Sequence, residues 1–464
     1  MPKETPNIIL INCDDLGYAD IGCYGSTLNK TPALDRLAEQ GMRFADFYAA
    51  APVCTPSRAA MLAGSYPRRL NMHAFDIRKI DGSGEILEHR GVLFPGQAEG
   101  LNPQEKTIAS VLKGGGYTTK MIGKWHVGDQ PEFLPAHYGF DSWFGIPYSN
   151  DMGLQTRSPE KAWAEHIKAP LPLVRDSVVV QEQPDQTSIT ERYTEEAVTF
   201  IRENADRPFF LYFAHTYVHN PLFVPEVFER QSENGVLGAA VAHIDWSLAM
   251  LEYELERCGL TDDTLIIFTS DNGGARKSVN TPLRGFKGST WEGGQRVNCI
   301  MKWPARIPAG TTCGEISTMM DFLPTFADIT GADIEDGVIR DGHTMLGLMT
   351  QETGASSGYK KFLYFKEGNL NAIRSGDYKL HLHLKELYNL DTDVGETDNK
   401  YDELPDVVQK LLYMAELARE DLGDDIAGVT GANQRPCGWV ENPKPLTTYD
   451  PNHPYIVALY DIPG

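Results

Sequence analysis

Cys54-Thr55-Pro56-Ser57-Arg58 brings a thiol, two hydroxyls and a guanidinium within five residues. Ala59-Ala60-Met61-Leu62-Ala63-Gly64 continues as a helix with a glycine stop. Pro56 suits the first helical position, where no N–H is needed. Cys54 is thus placed at a helix start, where the dipole favours negative charge and a thiol ionises more readily. The other reading of a lone cysteine there is a small hydrophobe packed beneath the helix.

Further reactive residue types follow strand-like apolar runs. After Ile8–Ile11 come Asp14-Asp15, two adjacent carboxylates that repel each other. A hard cation bound by their oxygens would relieve that repulsion, and an Asp pair capping the turn at Gly17 is the alternative. After Tyr117–Gly123 come Lys124 and His126, two apart, facing one way on an extended chain. They read as a clamp for an anion or as solvated strand-end residues. After Pro208–Ala214 come His215 and His219, and after Thr264–Ser270 comes the oxygen pair Asp271-Asn272. Leu283–Arg296 is glycine-rich and holds Lys287 on a short loop. Ligands of open α/β sheets lie off the carboxyl ends of the strands, which gathers these groups onto one edge.

Between these runs the spacing predicts helices. Thr31-Pro32 reads as cap and first position of a helix ending at Gly41. Ile108, Val111 and Leu112 mark another, and Thr190–Asn204 a third. Leu237, Val241, Ile244, Leu248, Leu251 and Leu255 make one long apolar stripe. Asp321–Thr330 is helical if Pro324 lies in its first turn. Residues 71–103 and 156–189 read as long loop regions. After about Gly354 short strands at close spacing, with one helix through Val407–Ala418, suggest an antiparallel sheet, and 430–464 an extended tail. The fold class is α/β: a large mixed, mainly parallel sheet sandwiched by helices, with a smaller C-terminal α+β domain. The expected division is 1–355 and 356–464.

With 42 Lys and Arg against 64 Asp and Glu, the net charge of −22 argues against nucleic-acid binding. An anion-processing site in such a chain needs its own cluster of cations. No apolar run is long enough to span a membrane. Seven cysteines in 464 residues do not form a disulfide scaffold. The N-terminus lacks a charged-then-apolar leader, so the expected location is cytoplasmic if Met1 is native, and periplasmic or secreted if a signal has been removed.

Cys-x-Pro-Ser-Arg at 54–58, Gly-Lys-Trp-His at 123–126, His-Asn-Pro at 219–221 and Lys-Gly-Ser-Thr-Trp-Glu-Gly-Gly at 287–294 occur in one order. From about residue 7 to about 395 the chain resembles the type I (formylglycine-dependent) sulfatases, arylsulfatase-like members of the alkaline phosphatase superfamily. The resemblance implies that a formylglycine-generating enzyme converts Cys54 to formylglycine. It implies a Ca²⁺ site of Asp14, Asp15, Asp271, Asn272 and the modified Cys54, with Arg58 neutralising charge beside it. Lys124, His126, His219 and Lys287 would bind the sulfate group and handle protons, and Ser149 in Ile-Pro-Tyr-Ser would contact substrate. His215 matches no catalytic position and reads as a packed histidine.

The implied reaction has one hydroxyl of the aldehyde hydrate attacking sulfur, with Asp271 taking its proton. His219, with Lys287, protonates the departing alcohol. His126 then removes the second hydroxyl's proton as sulfate is eliminated. The implied substrate is a sulfated small molecule, in particular a mono- or oligosaccharide taken at a chain end. One departure is visible: the family commonly has Val-Pro where Val297-Asn298 stands here. The competing readings are a phosphodiesterase or phosphonate monoester hydrolase of the same superfamily, which would carry Asp-His in place of Asp271-Asn272, and a catalytically inactive sulfatase-like binding protein. An ordinary cysteine hydrolase is the third.

Overall fold

The computed structural model describes residues 5–78, 86–154, 169–334, 337–450 and 452–455. Ten strands form one sheet: β1 (Asn7–Cys13), β2 (Met42–Phe44), β3 (Thr118–Gly123), β4 (Ser142–Gly145), β5 (Pro172–Arg175), β6 (Val178–Glu182), β7 (Phe209–Ala214), β8 (Thr264–Ser270), β9 (Cys299–Lys302) and β10 (Thr311–Cys313). Their order is β6-β5-β4-β3-β7-β1-β8-β9-β2-β10. The central five, β4, β3, β7, β1 and β8, run parallel. Antiparallel pairings bring in β5 and β6 on one side and β9 and β2 on the other.

The central strands are apolar throughout because both faces are covered. Ile8, Leu10, Phe210, Tyr212, Leu265 and Ile267 face one core, shared with α2 (Cys54–Ala63), α3 (Ile108–Gly114) and α6 (Phe322–Thr330). The alternate residues Ile9, Ile11, Leu211, Phe213, Ile266 and Phe268 face a second core, shared with α1 (Pro32–Glu39), α4 (Ile189–Glu203) and α5 (Gly235–Arg257). Pro324 does fall in the first turn of α6.

Helix α1 has the expected place but a different cap. The Thr31 side chain accepts no hydrogen bond from the helix. The Asp245 carboxylate on α5 does so instead, accepting from the N–H groups of Ala33 (3.1 Å) and Leu34 (2.8 Å).

The second region is an antiparallel sheet of β11 (Phe362–Lys366), β12 (Asn369–Ser375), β13 (Tyr378–His381) and β14 (Glu386–Asn389), with α7 (Pro405–Leu422) packed on it. Its core includes Tyr48, Ala60 and Tyr66 of the large region. The tail turns back along the large sheet, where Gly438 pairs with Gly100 and Thr447 Oγ1 donates to the Pro170 carbonyl.

Two loop expectations need correction. Within 71–103, Phe75–Arg78 and Ile86–Arg90 pair as a hairpin, and 79–85 lie outside the described residues. Within 156–189, residues up to 168 also lie outside them, but Pro172–Arg175 and Val178–Glu182 are β5 and the edge strand β6, not excursion. Their apolar runs, Leu171–Val174 and Val178–Val180, are short, and Val178 and Val180 stay exposed, so no buried strand is marked. All seven cysteines are free. Among the described residues no helix is long and apolar enough to cross a membrane.

Candidate active site

Strand register sets the site. Gly123 of β3 is opposite Ala214 of β7, Ala214 is opposite Asn12 of β1, and Cys13 is opposite Ser270 of β8. Lys124, Asp14 and Asp271 therefore leave three of four neighbouring strands, β3, β1 and β8 with β7 between the first two, near one level. Ladder bonds continue past the strand ends, with Lys124 N–H donating to the Ala214 carbonyl and Asp271 N–H to that of Cys13. Gly123 is required at its place: at φ +104°, a Cβ would lie 1.7 Å from the Ala214 carbonyl oxygen. Asp15 and His126 take positive φ values of 62° and 66°, which turn their side chains back over the sheet edge. Lys124 and His126 do converge, but through this turn and not along an extended strand.

Helix α2 starts at Cys54 itself, after the extended Val53, so Pro56 is its third residue and not its first. The cysteine is buried and its Sγ lies 3.4 Å from Asp14 Oδ1. Burial, reinforced by the Asp14 carboxylate, pushes the thiol far above its ordinary range despite the nearby lysines. The expectation of a readily ionised thiol at a helix start is thus overturned: desolvation and a facing carboxylate outweigh the dipole.

Three carboxylates and three cations interlock around Cys54. Arg58 donates through Nε to Asp271 Oδ2 (2.9 Å), with a second guanidinium nitrogen 2.8 Å from the same oxygen, and another donates to the Lys124 carbonyl. Lys124 Nζ reaches Asp14 Oδ2 at 2.5 Å and Ser149 Oγ at 2.8 Å. Lys287 Nζ lies 2.8 Å from each oxygen of Asp15. Burial opposes ionisation of Asp14, yet Lys124, then His219, Arg58 and Lys287, hold its carboxyl well below the usual range. Burial and the Asp14 charge push the other way at Asp271, raising it against the pull of Arg58.

The two site histidines have defined tautomers. His126 Nε2 meets the Leu93 carbonyl at 3.0 Å, so it carries the hydrogen and Nδ1 keeps a lone pair, 3.5 Å from Ser149 Oγ. Burial, then Lys124, hold this imidazole far below its usual pKa, so it is neutral. His219 Nδ1 faces two oxygens, Asn150 Oδ1 at 3.1 Å and the Asn220 carbonyl at 2.7 Å, and so bears hydrogen. Its Nε2 points at Asp15, 3.9 Å away. His215 is packed as expected, 4.4 Å from the Phe213 ring, and takes no part.

Three positioning residues escaped the sequence reading. Asn150 is locked by donating to Gln186 Oε1 and the Pro221 carbonyl, each at 2.9 Å, which turns its oxygen to His219. Thr55 Oγ1 accepts from Leu93 N–H at 3.1 Å and so anchors the segment that holds His126. Asn298, where the family pattern has proline, donates at 3.1 Å to the Gly17 carbonyl and braces the turn after Asp15. For Asn150 the available signal was its position directly after Ser149, and for Asn298 its departure from the family's proline; Thr55 carried none.

Ligand atoms of Asp14, Asp15, Cys54 and Asp271 all lie within 4.8 Å of one another. Asn272 donates through Nδ2 to Asp15 Oδ1 (2.9 Å), and its buried Oδ1 finds no hydrogen-bond partner. Convergent carboxylates with an orphaned amide oxygen fit a hard divalent cation. The lysines and histidines around them fit an oxyanion.

The family model "Sulfatase" matches residues 6–332. Human arylsulfatase A is 36% identical over 452 residues, covering 92% of this chain and 85% of that protein. Dog N-acetylgalactosamine-6-sulfatase is 34% identical over 400 residues, covering 82% and 72%. The crystal structure of Ps i-CgsB in complex with k-i-k-neocarrahexaose superposes with a TM-score of 0.76 at 30% identity, over 89% of this chain and 92% of that one. The strand-end site and these likenesses coincide in one assignment: the chain belongs to the sulfatase family and is a sulfuric ester hydrolase.

Proposed function

We propose that the protein hydrolyses the sulfate monoester of a sulfated mono- or oligosaccharide, taken at a chain end, using Ca²⁺ and a formylglycine made from Cys54. The observation that carries this is the setting of Cys54. A thiol this buried beside Asp14 is a poor nucleophile, whereas an oxygen nucleophile at the same place sits among cations. Burial of Cys54 also supports its modification by a formylglycine-generating enzyme before the chain folds. We take 1–355 as the catalytic domain and 356–464 as the C-terminal subdomain with its tail.

Asp14, Asp15, Asp271, Asn272 and the modified residue 54 would hold the ion, and their oxygens suit calcium. When bound, the ion and the aldehyde hydrate supply charge neutralisation and an activated hydroxyl. The chain's own side chains do the rest. Lys124 and Lys287, both close to residue 54, bind sulfate oxygens, with Ser149 beside Lys124. Asp271, steered by Arg58, takes the nucleophile's proton. His219, with Nδ1–H held by Asn150 and Asn220, presents Nε2 to the departing alcohol and gives it a proton. His126, with Nε2–H held by Leu93, presents the Nδ1 lone pair to accept a proton at the release step.

The phosphodiesterase reading is disfavoured by Asn272, which stands where a histidine would be expected. The deciding experiment pairs mass analysis of the Cys54 peptide, from protein made in a host with the modifying enzyme, with assays of a sulfate monoester and a phosphodiester with Ca²⁺ or chelator. Sulfur replaced by oxygen at residue 54, and chelator-sensitive preference for the sulfate ester, are expected. An unmodified active enzyme, or a phosphodiester preference, would overturn the reading.

A further inference from the structure

Of the six charged groups of the site, only Lys287 is appreciably open to solvent, at 21% side-chain exposure, while Asp14, Arg58 and Lys124 are at 0%. His219 comes next, at 12%. The mouth of the site therefore lies at Lys287 and His219, and the part of the substrate beyond the scissile oxygen must leave past them. The loop that carries Lys287 flanks this mouth and is stapled on both sides. Lys287 N–H donates to the Gly274 carbonyl (2.9 Å) and Gly288 N–H to that of Pro52 (2.8 Å). Asn280 bridges the two arms, accepting from Gly274 N–H and donating to the Gly274 and Gly285 carbonyls. Ser289 Oγ fastens the Phe286 backbone at both N–H and carbonyl.

Directly before Lys287 on this braced loop stands Phe286, 36% exposed, and the guanidinium of the exposed Arg276 lies 4.7 Å from the centre of its ring. Lys277 is exposed beside it. Among the described residues no carboxylate pairs with Arg276 or Lys277, in a chain where Asp and Glu outnumber Lys and Arg by 22. Elsewhere on the surface arginines commonly find acids, as Arg36 finds Glu252 and Arg230 finds Glu226.

We propose that Arg276 and Phe286 form a subsite for the leaving-group side of the substrate: the ring packs a sugar face, and the guanidinium binds a second anionic group, sulfate or carboxylate, on that sugar or its neighbour. This rests on the sulfatase reading above and adds a selection within it for multiply charged saccharides. An aromatic ring offers an apolar face of sugar size, and a guanidinium resting against it keeps N–H groups free for an oxyanion. Because neither group touches the scissile sulfate, the subsite acts on binding and not on the chemical step.

The test uses the mature enzyme with a panel of sulfated monosaccharides, each with and without a second sulfate or a carboxylate, beside 4-nitrophenyl sulfate. In the unsubstituted enzyme the second anion is expected to lower KM by about tenfold, the size of one charge-assisted contact. Arg276→Gln should erase that gain while leaving kcat and the hydrolysis of 4-nitrophenyl sulfate unchanged. Phe286→Ala should raise KM for singly sulfated sugars as well. A panel with no gain from any second anion, or a gain that survives Arg276→Gln, overturns the subsite alone. Failure of every sulfate ester, 4-nitrophenyl sulfate included, overturns the reading beneath it and the subsite with it.

Discussion

Two buried clusters of charge differ in one respect that separates chemistry from architecture. Under the small sheet, Asp46, Glu292 and Glu396 meet Arg296, Arg374 and Lys379. Every Glu292 and Glu396 oxygen there is used. Glu292 accepts from Tyr48, Tyr364 and Lys379, and Glu396 accepts from Lys379, His381 and the Glu292 N–H. At the strand ends, Asp14, Asp15 and Asp271 meet Arg58, Lys124 and Lys287, again three against three. Here the count closes but the geometry does not, since Asn272 Oδ1 is left unpaired among the convergent carboxylates. Adding a divalent ion makes the formal sum +2 (three positive, three negative, two added), which prepares the pocket for an anion despite the acidic surface. Buried charge alone does not mark a site; carboxylates converging on an unpaired oxygen do.

Substitution should pull the two clusters apart. Cys54→Ser, which denies the modification, is expected to cut sulfate release by at least about a thousandfold. Its melting temperature should stay near that of the parent, and retained turnover would break the proposed mechanism. Glu292→Gln should do the opposite. It leaves Lys379 and Arg296 short of charge in a dry interface, at a cost of about 3–5 kcal/mol in denaturant unfolding. The kcat of the folded fraction should be nearly unchanged. A Glu292→Gln protein with parental stability, or one inactive while fully folded, would dissolve the distinction.

A smaller effect is expected from Asn150→Ala, which removes one oxygen from His219 Nδ1 and leaves the Asn220 carbonyl. Proton donation to the leaving alcohol matters most when that alcohol is a poor leaving group. The loss in kcat should be about tenfold or more for a saccharide sulfate and slight for 4-nitrophenyl sulfate. Equal losses on both would assign Asn150 to packing.

The legible part of the molecule is the part where local sequence and burial agree. β1, β7 and β8 show as continuous apolar runs because helices cover both their faces, and the reactive residues show because they follow those runs directly. What failed was decided by distant residues. The Cys54 thiol was read from its own helix, but Asp14, 40 positions away, sets its behaviour. The cap on α1 comes from Asp245, more than two hundred positions off. Glu292 and Glu396 look like surface acids until the small sheet covers them. The outer strands β5 and β6 were missed because short strands at the margin of a sheet need only a few buried side chains to hold.

A third kind of buried charge sharpens the comparison. Asp129 is buried beside Gly96 N–H (2.6 Å to Oδ2) and Gln130 Nε2 (2.9 Å to Oδ1), and among the described residues no cation pairs with it. Burial pushes its carboxyl up to about 7, with hydrogen bonds from Gly96, Gln130 and its own backbone only partly opposing. Unfolded, it would titrate near 4, so from about pH 4 to 7 the folded chain holds a proton that the unfolded chain releases. Its contribution to stability is therefore present at low pH and lost as pH rises towards 7. Over three pH units at about 1.4 kcal/mol each, that loss has a ceiling of about 4 kcal/mol. Asp129→Asn cannot ionise, so it should be the less stable protein at pH 5, where its amide crowds the Gly96 and Gln130 donors, and should draw level or overtake by pH 8. Denaturant unfolding of both proteins across that range reads the difference directly. Parallel stability profiles would place Asp129 with the charges that are already ionised and satisfied, as in the network around Glu292.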